Sequence, residues 1–191
     1  MIRMKAELKY AGIEKDVENL YREWFRKSIP DAKITSPYGC DGLLFSDKNN
    51  LWLLMEIKYD LDFKKSSEIG RVLIQLLFYL KKFEKDGKEI PTILFVGDVN
   101  ECFVLHSNGI LKFLDSDVDW DTAPSSAWEK YPDLKLELAK NVNPFVYSID
   151  DNSVFEEVVD SVLKMNAGVV RLIRITEHNV DTVFRYFQDR V

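Results

Sequence analysis

Asp41, Glu56 and Lys58 are the residues of this sequence whose types and spacing could do chemistry. Asp41 opens the apolar run Gly42-Leu-Leu-Phe-Ser46, and Glu56 and Lys58 close a second run that begins at Leu51. Between the runs lies Asp47-Lys-Asn-Asn50, and two apolar runs around a polar turn cluster predict a β-hairpin. In an antiparallel hairpin the start of one strand lies beside the end of its partner. Asp41 and Glu56, 15 residues apart (56 − 41), are therefore expected to converge at one end of the sheet. Side chains alternate along a strand, so Glu56 and Lys58 share a face while Ile57 points the other way, into the core. Two close carboxylates repel unless a proton or a cation sits between them. Hard oxygen ligands in small number suit Mg²⁺, which keeps several waters and recruits phosphate oxygens. An adjacent lysine can hold the attacking water and stabilise charge on a scissile phosphate. The chemistry implied is metal-assisted phosphodiester hydrolysis.

The elements that must position these groups are legible in the hydrophobic pattern. Ile13, Val17, Leu20, Tyr21, Trp24 and Phe25 recur at helical spacing, predicting an amphipathic helix from about Glu14 to Ser28 that Pro30 stops. After the hairpin, Ser66 or Ser67 can cap a second helix carrying Ile69, Val72, Leu73, Leu76, Leu80 and Phe83, with Gly87 as its stop. Strands are predicted over Thr92–Gly97, Glu101–His106 and Ile110–Leu114, the last two joined at Ser107-Asn108-Gly109. A strand that follows a hairpin and a helix should return to the same sheet by a crossover, which makes the fold class α/β with a mixed sheet. From Asp115 to about Asn143 the pattern breaks into an irregular connection carrying Trp120, Trp128 and Pro132. Ser153-Val-Phe-Glu156 reads as a capping box opening a helix to about Met165. Gly168–Ile175 reads as a further strand, and Val180, Val183, Phe184 and Phe187 predict a last helix.

The ordered set of Glu18 on a helix, Asp41, a hairpin, Glu56-Ile57-Lys58 and Gln75 on the next helix resembles the PD-(D/E)XK nuclease superfamily. That superfamily includes many restriction endonucleases and Mrr-like nucleases. The motif-bearing stretch covers residues 14–97, about half the chain, and the dipeptide of the family's name is Cys40-Asp41 here. The literal Pro30-Asp31 follows the first helix directly and precedes no apolar strand that pairs with Glu56, so Asp41 is preferred. The resemblance implies a restriction-endonuclease-like mixed sheet flanked by helices, with a small C-terminal α/β extension. It divides the chain into a nuclease core over 1–114 and an extension over 115–191 that packs on that core. It implies that Asp41, Glu56 and the main-chain carbonyl of Ile57 bind Mg²⁺ (or Mn²⁺), that Lys58 positions the attacking water, and that Glu18 and Gln75 line the site. Trp120-Asp-Thr-Ala-Pro124, Asn143-Pro-Phe-Val146 and Ile175-Thr-Glu-His-Asn-Val180 are similar to the nuclease region of fused restriction-modification enzymes. The partners implied are DNA, a methyltransferase or specificity domain C-terminal to this chain, and a second copy for double-strand cleavage.

Other readings stand beside these. Glu14 competes with Glu18 as the helix acid, although Val17-Glu18-Asn19-Leu20 better matches the Mrr-like pattern. Gln75 reads equally as a satisfied core amide. Tyr79, one turn later, reads as packing or as an extension of the site. Lys64, Lys65, Arg71, Lys81, Lys82, Lys85 and Lys88 could track a DNA backbone or form a solvated face. A nuclease-fold scaffold that acts through protein contacts is the rival function.

Composition limits the rest. The 191 residues hold 46% hydrophobic and 30% charged residues with 8 Gly and 6 Pro, which excludes disordered and collagenous chains. Two cysteines, Cys40 and Cys102, exclude a disulfide framework, and two distant histidines, His106 and His178, argue against a structural zinc site. No apolar run reaches membrane-spanning length and no signal-like start is present, so a soluble, cytoplasmic protein is expected. No G-x-x-x-x-G-K-[ST] phosphate cradle occurs. The net charge of -6 predicts that this chain alone grips DNA weakly.

Overall fold

The computed structural model describes residues 4–150, 152–167, 175–177 and 179–188. In chain order they form α1 (Met4–Tyr10), α2 (Glu14–Ser28), β1 (Lys33–Thr35), β2 (Gly42–Ser46), β3 (Leu51–Ile57), α3 (Ser66–Lys85), β4 (Ile93–Gly97) and β5 (Glu101–His106). Then follow α4 (Asn108–Leu111), α5 (Ala127–Lys130), α6 (Pro132–Asn141), β6 (Val146–Ser148), α7 (Asn152–Asn166) and α8 (Val180–Gln188). The fold is mixed α/β: one six-stranded sheet in the order β1 to β6, flanked by helices. Every neighbouring pair is antiparallel except β3–β4, which is parallel because α3 carries the chain back across the sheet between them.

Strand alternation divides the apolar residues between two faces. Leu43, Leu54, Leu94, Val96 and Phe103 pack with α3, while Leu44, Leu53, Met55, Ile57, Phe95 and Val104 pack with α1, α2 and α7. α2 is amphipathic as expected, and its Asp16 carboxylate accepts the backbone N–H groups of Gly12 and Ile13 at 3.0 and 3.3 Å. Tyr21, Trp24 and Phe25 on its inner face meet Phe155 of α7 edge-on or tilted. Gly97 is needed because a Cβ there would lie 2.8 Å from the Tyr21 ring.

α3 is buried on nearly every side because β-strands cover one flank and α6 the other. The backbones come so close that a Cβ on Gly70 would sit 2.6 Å from the Lys135 carbonyl. Its end is a Schellman turn: Gly87 at φ 63° donates to Glu84 O and Lys88 N–H donates to Phe83 O. Its start differs from expectation, since Ser66 is the first helical residue and Lys65 holds the cap position with no side-chain cap. Asn166, closing α7, donates to Asn49 O and Asn50 O at 2.9 and 3.2 Å and accepts from Thr92 Oγ1 at 3.1 Å. The hairpin turn and the start of β4 are thereby fastened together.

Two further expectations are corrected. Residues 110–114 are helical, not a strand: the Ser107 carbonyl accepts from Ile110 and Leu111, and a 3₁₀ turn follows over Lys112–Asp115. The edge of β5 that a returning strand would need is taken by β6, with Phe103 opposite Val146. Ile110, Phe113 and Leu114 are buried at helical spacing. The 115–143 stretch, expected to be irregular, carries α5 and α6; Leu134 and Leu138 of α6 pack on α3, and Phe78 meets Trp120 and Tyr131. The helix expected from Ser153 begins at Asn152 and ends at Asn166. The strand expected over 168–175 falls almost wholly outside the described residues. No described helix is long and apolar enough to cross a membrane.

Candidate functional site

The β2–β3 register brings the three residues together. Gly42 lies opposite Met55, so one step further places Asp41 opposite Glu56. Asp41 accepts the backbone N–H of Ile57 through Oδ2 at 2.7 Å, which extends the ladder by a side chain. Within an extended strand the N–H and C=O of one residue point the same way, so the Ile57 carbonyl faces the Asp41 edge. Its side chain is fully buried against the α2 face, as alternation requires. Glu56 continues the face of Leu54, toward α3, and Lys58 Nζ donates to Glu56 Oε1.

Glu56 is the electrostatic centre of the cluster. It is 1% exposed, and its Oε2 has no hydrogen-bond partner. Burial, followed by the charge of Asp41, pushes its carboxyl up to about 8 against the attraction of Lys58. Burial also raises Asp41, opposed by the Ile57 N–H and Lys58 and assisted by the charges of Glu18 and Glu14. Lys58 is drawn above the ordinary lysine value: burial would lower it, but Glu56 outweighs burial. Two carboxylates and one ammonium thus leave a surplus of negative charge in a dry corner, and the surplus is held down by partial protonation.

The helices supply the remaining candidates unequally. Glu18 is 6% exposed, and both of its oxygens are taken: Lys15 reaches them at 2.6 and 2.7 Å and Arg22 at 2.8 Å. Glu14 is exposed, and its charge acts on Asp41, Glu56 and Lys58. Both glutamates therefore border the cluster electrostatically and neither joins it by a hydrogen bond. Gln75, 8% exposed on α3, meets the Tyr79 hydroxyl, which donates to Gly39 O at 3.2 Å. Gln75 thus reaches the site through Tyr79.

Two residues escaped the sequence reading. Arg22 bridges Glu18 and, at 3.1 Å, Ser36 Oγ, and its charge falls on Cys40 beside Asp41. Lys15 neutralises Glu18 from the preceding turn. Their i, i+4 and i, i+3 spacing from Glu18 was the available signal. Asp31 lies at the other end of β2, where it accepts from Ser46 Oγ at 2.8 Å and Lys48 N at 3.0 Å and organises the turn. The buried Asp98 receives N–H groups from Leu61, Asn100 and Glu101 at 2.7 to 3.1 Å and fixes the loop leaving Lys58.

Among the described residues no group of three or more His, Cys, Asp or Glu side chains gathers at metal-holding distance. The corner presents two carboxylates, those of Asp41 and Glu56, beside the Ile57 main chain. Most of the basic segment is locally matched: Lys65 to Asp62, Arg71 to Glu68, Lys81 to Glu84, Lys85 to Asp121 and Lys88 to Asp86. Trp120 and Trp128 are packing anchors, with Lys81 over one ring and Arg71 and Lys135 over the other. Comparison with family models, curated proteins and solved structures finds no match to this chain.

Proposed function

We propose that this chain is a Mg²⁺-dependent DNA endonuclease domain with a restriction-endonuclease-like fold, and that the corner formed by Asp41, Glu56 and Lys58 cleaves a phosphodiester bond. The observation that carries this reading is Glu56: a fully buried carboxylate with one oxygen unpartnered, beside a second carboxylate and an ammonium. Such an arrangement is costly in an empty site and favourable around a divalent cation. Asp41, Glu56 and the Ile57 carbonyl would hold the Mg²⁺ (Mn²⁺ fits the same hard oxygen donors), and Glu14 and Glu18 add negative field. The bound cation would supply Lewis-acid polarisation of the scissile phosphate. Lys58 is anchored through Glu56 at the rim and can hold a water in line with that phosphate while offsetting the charge that builds on it. Gln75 and Tyr79 close the α3 side and exclude bulk water.

The helix–meander–helix–parallel-strand order, from α2 through β1–β3 and α3 to β4, supports the superfamily resemblance. In the same reading the chain is the cytoplasmic cleavage module of a restriction-modification system, works with a methyltransferase or specificity domain, and pairs with a second copy to cut both strands. The rival is a scaffold that keeps the fold without catalysis. It is favoured by how far the cluster satisfies itself: Asp41 through the Ile57 N–H, Glu56 through Lys58. Plasmid nicking separates the two. Wild type is expected to convert supercoiled DNA to open circle only with Mg²⁺ or Mn²⁺, and Asp41→Ala and Lys58→Ala should each lose at least about a hundredfold in rate, the scale of removing one charge-stabilising group. Equal nicking by all three proteins would exclude this site, and no nicking by wild type would favour the scaffold.

A further inference from the structure

Asp41 is delivered by an unusual turn. Tyr38 and Gly39, immediately upstream, both have left-handed backbone, at φ 59° and 78°. Gly39 adopts this freely; a bulky residue such as Tyr38 does so at a cost of about 1–3 kcal/mol and needs its surroundings to hold it there. Those surroundings are supplied by α3 and the segment after it. The Tyr38 ring packs edge-on against Phe83 at 5.0 Å, its hydroxyl donates to Asp86, and Lys88 Nζ donates to that hydroxyl at 3.0 Å while lying over the ring. On the other side of the turn, Tyr79 donates to Gly39 O. The turn therefore ends with Cys40 at φ −69° and ψ 158°, the backbone a proline would impose.

We infer that Tyr38 in the turn, gripped by Phe83, Asp86 and Lys88, and Tyr79 on α3 form a clamp that positions Asp41, doing by tertiary contact what a proline before the aspartate would do by covalent geometry. Tyr79 is the more telling member. It lies one turn from Gln75 on the buried face of α3, and burial together with the Glu56 charge keeps its phenol protonated, so that it remains a donor. The clamp fixes the Asp41 carboxylate against the Ile57 N–H and, with it, the spacing of Asp41 from Glu56. Both tyrosines act through Asp41, and the functional part of this assignment rests on the proposed nuclease reading.

The clamp can be tested without relying on that reading, through hydrogen exchange at the Ile57 amide in metal-free protein. Tyr79→Phe and Tyr38→Phe should each speed exchange at Ile57 by about tenfold, the equilibrium factor for one net hydrogen bond. Tyr147→Phe on β6, which loses a hydroxyl contact to Ser161 of α7 at 2.7 Å, is the control and should leave Ile57 unchanged. In nicking assays Tyr79→Phe should need several-fold more Mg²⁺ for half-maximal rate than wild type, and Tyr147→Phe should not. Unchanged Ile57 exchange in both clamp variants would overturn the clamp. So would an increase equalled by Tyr147→Phe, because that reports loss of global stability. Absence of nicking by wild type would remove the nuclease reading alone and leave the exchange result to decide the clamp.

Discussion

Replacing Glu56 by Gln tests the central electrostatic claim most directly. The substitution keeps the shape of the side chain and removes its charge. In the folded protein Glu56 is displaced from the ordinary 4.5 to about 8 by burial and by Asp41. At about 1.4 kcal/mol for each tenfold in proton affinity, ionising it in place costs up to ~5 kcal/mol. The sign follows from linkage. The folded state holds this proton more tightly than the unfolded chain, so stability is full below about pH 4.5 and falls as pH rises toward 8. Gln escapes that loss, and the attraction of Lys58 for the ionised carboxylate is already contained in the displaced value. At pH 8.5 Glu56→Gln should therefore be more stable than wild type by about 3–5 kcal/mol, or roughly 6–20 °C in Tm for a chain of this size. At pH 5 both proteins carry a neutral side chain and should melt within a few degrees of each other. Thermal unfolding from pH 5 to 9 in EDTA measures the gap. Adding Mg²⁺ at pH 8.5 should raise the wild-type Tm, by the equivalent of about 2.7 kcal/mol at a hundred times Kd, and leave Glu56→Gln unmoved. Parallel Tm–pH curves for the two proteins would refute the reasoning, because Glu56 would then carry no burial penalty for a cation to relieve.

Two packing predictions follow from the glycines. Gly97→Ala would place a Cβ 2.8 Å from the Tyr21 ring and 3.0 Å from Phe95, and should cost about 1–3 kcal/mol in urea unfolding, since Tyr21 is backed by Phe155 and Phe95 by Tyr21 and Phe25. Gly70→Ala meets the Lys135 carbonyl at 2.6 Å, and backbone yields less than a ring; a loss of at least about 2 kcal/mol is expected, with faster hydrogen exchange confined to α6.

The motif half of the fold was readable because each of its elements carries its own local signal. α2 has one clean apolar stripe ending at a proline, the hairpin has a polar turn between two apolar runs, and α3 has a capping glycine that the structure uses at positive φ. From these alone Asp41, Glu56 and Lys58 could be brought to one corner, because register in a short hairpin is fixed by its turn. What failed to show was set by distant contacts. Residues 110–114 look like a strand after an Asn-Gly turn, yet become helical because β6 occupies the edge of β5. α6 is concealed by its weak amphipathicity and exists by packing Leu134 and Leu138 on α3. At the site, the engagement of Glu18 by Arg22 and Lys15 decides whether that carboxylate is free, and helical spacing suggests such pairs without saying which ones form. The tyrosine clamp joins residues 40 positions apart (79 − 39) and has no local signature.

The contact of Phe155 with Tyr21, Trp24 and Phe25 also sets a schedule for the growing chain. Phe155 comes 130 residues after Phe25 (155 − 25), which at 5–20 residues per second is a wait of about 7–26 s during synthesis. During that interval the strands beneath α2 are made one after another, its aromatic face has no lid from α7, and the hairpin turn lacks the Asn166 fastening. The segment that bears Asp41, Glu56 and Lys58 is thus made early and locked late. On the proposed nuclease reading, a chain that stops before α7 lacks the Asn166 fastening of the hairpin that bears this corner and should nick DNA more slowly than the full chain.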